Sequence, residues 1–93
     1  MSIDTEQEAL IARWIQPNPH KPGAAAAWVL PHHVSVWAIV MQLQLDGWNV
    51  PGVAAWYELP VEAVEAAIEF YQRHKVDVDA KIAHNRAFFG LKP

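Results

Sequence analysis

The sequence predicts a mainly α protein: one domain built on a helix-turn-helix with a three-helix, winged-helix-like core, flanked by N- and C-terminal helices and with room for one short strand. Three observations predict it. Apolar residues recur at helical spacing in three runs between residues 35 and 74. Two tight breaks, Asp46-Gly47 and Glu58-Leu59-Pro60, separate those runs. A chain of 93 residues supports one modest core and no more. Residues 1–33 then read as an N-terminal helix and a proline-rich arm, 34–75 as the helix-turn-helix core, and 76–93 as a C-terminal helix with a basic tail.

The first element spans residues 4–15. Asp4 or Thr5 can cap it, and the early Glu6 and Glu8 favour the positive end of the helix dipole. Leu10, Ile11, Trp14 and Ile15 form its apolar face. Residues 16–23 hold Pro17, Pro19, Pro22 and Gly23, which exclude regular helix and predict an extended connector. Residues 24–30 carry two opposed signals. Four alanines favour helix, whereas Trp28-Val29-Leu30 ahead of Pro31 favours an extended end. The balance tips towards a short strand, which finds no partner in the sequence and would pair with a second copy or another protein.

The first helix of the central unit covers residues 35–45, with the Ser35 hydroxyl as cap and Gly47 at the exit. It is apolar nearly all round: Trp37, Val40 and Met41 on one side, Val36, Ile39 and Leu43 on another. That pattern belongs to a helix buried on most faces, by its own core or by a dimer mate. Asn49 can cap the second helix, where Pro51 is tolerated because it falls in the first turn. Val50, Val53, Ala54 and Tyr57 share one face. Pro60 opens the third helix, with Val61, Val64, Ile68 and Tyr71 as its stripe. Glu62, Glu65, Glu69 and Arg73 lie opposite, Glu69 and Arg73 at ion-pair spacing. A last helix over residues 76–89 can be capped by Asp77 or Asp79 and aligns Val78, Ile82 and Phe89.

Charge is uneven along the chain. The net charge is −3, yet residues 1–72 hold only Arg13 and Lys21 as cations, while Arg73, Lys75, Lys81, Arg86 and Lys92 follow. The hydrophobic fraction is 53% with five tryptophans, more large rings than one small core hides, so some apolar surface should be covered by another chain. The expected state is a homodimer, with Trp28, Val29, Leu30 and Trp37 at its interface. No cysteine is present, which excludes disulfides and thiolate metal sites. Met1 to Glu8 is acidic rather than basic-then-apolar, and no apolar run reaches membrane length, so the expectation is a soluble cytoplasmic protein.

Signs of catalytic chemistry are weak. The five histidines form no His-x-x-x-His pair, and the adjacent His32 and His33 aim their rings apart. The Glu62, Glu65 and Glu69 face reads as solvated. No nucleophile–base pair and no phosphate-binding loop occurs, so neither enzyme activity nor a cofactor or metal is expected.

The run Val34-Ser35-Val36-Trp37, then Asp46-Gly47-Trp48-Asn49-Val50, then Val53-Ala54 and Tyr57, then Leu59 to Ile68 with Tyr71 and His74, resembles a family of small helix-turn-helix proteins catalogued mainly as domain of unknown function 433. Several members of that family are antitoxins encoded beside PIN-like ribonuclease toxins. The resemblance covers roughly the central half of the chain and departs from the family pattern twice, at Pro60, where the family usually has Ser or Thr, and at Glu65, where it tends to a polar or basic residue. It implies an antitoxin that binds a PIN-like ribonuclease and represses its own operon. The alternative is a homodimeric interaction or scaffold domain with neither toxin nor DNA.

Binding to DNA is disfavoured, because Glu62 and Glu65 would face the phosphates and affinity comes largely from Lys and Arg. Any DNA contact would fall to Arg73 and Lys75. PIN-like toxins hold a metal in a carboxylate cluster, as the resemblance implies, which would attract a cation. The basic tail is therefore a candidate docking element, with Phe88 or Phe89 as anchor and Lys81 or Arg86 approaching the acidic site. The competing reading is that this helix packs on its own domain or its dimer mate.

Overall fold

A computed structural model describes residues 3–88, and their side chains from 5 to 86. Five helices, α1 (Ile3–Trp14), α2 (Val36–Leu45), α3 (Val50–Tyr57), α4 (Val61–Arg73) and α5 (Lys75–Phe88), surround one core. Three two-residue strands, β1 (Ile15–Gln16), β2 (Trp28–Val29) and β3 (Val34–Ser35), form an antiparallel sheet in that order. The fold is mainly α, as the sequence predicts. The small sheet precedes the helical unit in the chain, and α4 runs directly into α5.

The central helix is α2. Val36, Ile39, Val40 and Leu43 are wholly buried, and α3, α4 and α5 all pack against it. Ser35 stands at its N-cap position, but the hydroxyl makes no capping bond. Residues 34–35 already belong to β3, and the Val36 N–H donates instead to the Ala27 carbonyl at 2.9 Å. At the other end Gly47 (φ +65) and Trp48 (φ +62) are both left-handed. This lets the Trp48 N–H return to the Leu43 carbonyl at 2.7 Å, closing the helix as glycine-terminated helices do. Asn49 caps α3: its Oδ1 accepts from the Gly52 N–H at 3.2 Å. Glu58 (φ +56) ends α3, and its N–H donates to the Ala55 carbonyl at 3.2 Å.

Several elements differ from the sequence expectation. Residues 24–30 are both things at once: a 3-10 turn over Ala24–Ala26, then strand β2. The strand is not orphaned, because Val29 faces Ile15 on one side and Val34 on the other. Strand β2 therefore needs no second copy to complete its pairing. Strands of two residues show no alternation, so their partners could not be read from the sequence. On α4, Val61 is exposed, and the buried face is made by Ala63, Val64, Ala66, Ala67 and Tyr71. The small side chains let neighbouring helices approach closely. Arg73 pairs with Glu8 of α1 at 3.7 Å rather than with Glu69, since α1 lies along α4 and brings its carboxylate within reach.

The last helix starts at Lys75, ahead of both predicted caps. Asp79 is no cap; it accepts a 2.7 Å hydrogen bond from the Tyr71 hydroxyl of α4. Val78 and Ile82 enter the same core as α2 and α4, so the middle of α5 is a structural element of the domain. Phe89 lies outside the described residues, as does the side chain of Phe88. No helix among the described residues is long and apolar enough to cross a membrane.

Candidate partner-binding surface

The two connections of the helix-turn-helix place large apolar side chains in water. Leu45 and Trp48 flank the α2–α3 turn and are 62% and 45% exposed. Trp56, on the last turn of α3, is 73% exposed, and Val61 on the first turn of α4 is 42% exposed. Local structure fixes this display. The left-handed Trp48 turns its indole back over α4, where its ring centroid lies 6.3 Å from that of Tyr71. Tyr71 in turn bonds Asp79, so the α2–α3 turn, α4 and α5 are tied into one unit beneath the exposed ring. Burial pushes the Tyr71 hydroxyl up to about 12, reinforced by its bond to the Asp79 carboxylate.

Trp56 was not among the residues that the sequence singled out. At 100° per residue it falls about 110° from the centre of the Val50, Val53, Ala54 and Tyr57 stripe, so its exposure follows from the helical period.

The predicted DNA-contacting residues are dispersed. Glu62 and Glu65 are exposed on the first half of α4; Arg73 sits at its other end and Lys75 begins α5. Arg73 lies eleven helical steps beyond Glu62, an axial distance of about 16 Å. Helix α1 packs along α4, with Leu10 and Ile68 lining one shallow groove beside Glu65 and Glu69. A DNA major groove about 12 Å wide accepts one helix. Glu62 and Glu65 are exposed on α4, as are Glu6 and Glu8 on α1. Carboxylates on α4 repel phosphates, and Arg73 is already engaged by Glu8.

The residues read as a docking tail are only partly available. The Lys81 ammonium lies 6.0 Å from the Trp37 ring centre, within cation–π reach, and both residues are half-buried. Arg86 is half-buried on α5. Of the residues assigned to a dimer interface, Val29 is wholly buried within its own chain. Trp28 is half-buried with its ring centre 4.6 Å from that of His33 and 6.1 Å from that of His20; Leu30 is half-buried as well. Trp37 lies on α2 and Trp28 on β2. Among the described residues, no group of three or more histidines and carboxylates converges as a metal site.

No protein-family model, curated protein or solved structure matches the chain.

Proposed function

We propose that this chain is a protein-binding module of the antitoxin type, which uses the turns of its helix-turn-helix to hold and silence a PIN-like ribonuclease. The observation that supports it best is the display of Trp56, Trp48, Leu45 and Val61 at the α2–α3 and α3–α4 connections. Exposed tryptophans contribute little to folding, and they are over-represented among residues that dominate binding energy. The resemblance of the same stretch to the antitoxin-containing family supplies the class of partner. In this reading the helix-turn-helix serves protein recognition, and the exposed Glu62 and Glu65 of α4 weigh against operator binding.

Self-association is the competing reading, because the same exposed rings would fit a second copy. The test is whether the neighbouring reading frame encodes a PIN-like nuclease and, where it does, a titration of that nuclease with this protein. Wild-type protein is expected to abolish its ribonuclease activity at stoichiometric ratio, and Trp56→Ala to weaken inhibition by about 30-fold, the effect of losing one hot-spot residue. Full nuclease activity in the presence of excess protein would refute the proposal. Light scattering would then show whether the rings are covered by a second copy.

A further inference from the structure

A second concavity lies away from the helix-turn-helix turns, between α1, the proline-rich arm and the end of α4. Its volume is about 630 Å³, within the range of small-molecule sites. The floor is apolar, with Ile11 from α1, Ile15 from β1 and Phe70 from α4. Its wall is pre-shaped. Pro17 and Pro22 fix their own backbone torsions, and Gly23 (φ +96) makes the turn back into the alanine segment. Asn18 tightens the arm by accepting the His20 N–H at 2.8 Å.

The polar edge of this groove carries a positive charge, the Lys21 ammonium. Lys21 and His74 line it, and no carboxylate does. That is unusual on this molecule, where Lys21 is one of two lysines or arginines in the first 72 residues, against eight Asp and Glu. His74 is held in place by its ring contact with Phe70, centroids 4.4 Å apart, so a donor is fixed directly beside the apolar floor. A lysine ammonium and an imidazole N–H at the edge of an apolar trough are complementary to a carboxylate on a hydrocarbon body.

We propose that this groove binds a free amphipathic monocarboxylate. Its hydrocarbon lies along Ile11, Ile15 and Phe70, and its carboxylate sits against Lys21 and His74. The site is separate from the partner-binding surface, so its existence does not depend on the antitoxin reading.

Decanoate titrated into the isotopically labelled full chain tests this, with decanol as the uncharged control. Amide shifts are expected to saturate at residues 11–27 and 70–74, with decanol binding at least about tenfold more weakly, the scale of one charge-assisted hydrogen bond. Lys21 is exposed, so Lys21→Met should fold normally. It should weaken decanoate by about tenfold and leave decanol unchanged. Ala24→Leu, which fills the trough while keeping Lys21, should reduce both ligands together. Equal affinity for decanoate and decanol, shifts centred on Trp48 and Trp56, or no saturation below about 1 mM would each overturn the proposal.

Discussion

Replacing Ile82 by Ala decides whether α5 is a structural helix or a detachable docking tail. Ile82 is 4% exposed and lies in the same cluster as Leu43, Val64 and Val78. Truncating a buried isoleucine to alanine removes three carbons and leaves a cavity that the packed neighbours close only in part, which costs about 2–5 kcal/mol. For a domain of this length, 1 kcal/mol lowers the melting temperature by about 4–8 °C, so even the lower figure predicts a fall of about 8–16 °C. Total stability of small domains is only about 5–15 kcal/mol, so the variant approaches the limit of folding at 37 °C. Thermal unfolding followed by circular dichroism reads the effect. His84→Ala, on the exposed side of the same helix, serves as control and should move the midpoint by no more than about 2 °C. Truncation after Asp77 should be more severe still, because it also removes Val78 and the acceptor of the Tyr71 hydroxyl. An Ile82→Ala protein that melts within about 2 °C of wild type would refute the assignment of α5 to the core and restore the tail as a free docking element.

Three further outcomes follow from named contacts. Tyr71 is neutral when folded and its hydroxyl is raised to about 12, mainly by burial, from an ordinary value of 10.0. The folded state therefore retains a proton that the unfolded chain releases; stability is fully present below pH 10 and falls between pH 10 and 12. Denaturant unfolding across that window should show a decline that Tyr71→Phe reduces; an unchanged slope would mean other groups cause it. Asn49→Ala removes the α3 cap and should cost about 1 kcal/mol in urea unfolding, whereas no loss would mean that Oδ1 contributes nothing there. If Glu62 and Glu65 are what exclude DNA, Glu62→Gln with Glu65→Gln should tighten non-specific duplex binding in a gel-shift assay and steepen its salt dependence; undetectable binding by both proteins would show that this face never approaches DNA.

The helical part of the fold was legible in the sequence because its signals are local. Asp46-Gly47, Asn49 with Pro51, and Glu58 ahead of Pro60 each mark a turn by a backbone requirement that only certain residues satisfy. What escaped was set by distant neighbours. The pairing of Ile15 with Val29 and Val34 rests on strands too short to have a pattern. Arg73 chose Glu8 over Glu69 because α1 packs on α4, which no spacing within α4 reveals. Val61 falls on the stripe the sequence predicts yet is exposed, whereas Ala63, Ala66 and Ala67 are buried, because alanine is the residue a close helix contact selects. For the candidate surface, the surplus of tryptophan signalled rings left near water, and Trp56 could have been located from the α3 period. The groove of Lys21 and His74 could not, since it joins residues more than fifty positions apart.

Amide hydrogen exchange of the chain alone and mixed with a PIN-like nuclease, should the neighbouring reading frame encode one, shows whether the two connections are the binding surface. New protection is expected at residues 45–48 and 56–61, the two connections that carry Leu45, Trp48, Trp56 and Val61, with the Glu6 and Glu8 turn of α1 unchanged. Protection confined to α1 and the outer face of α4, or no change at either connection, would contradict it.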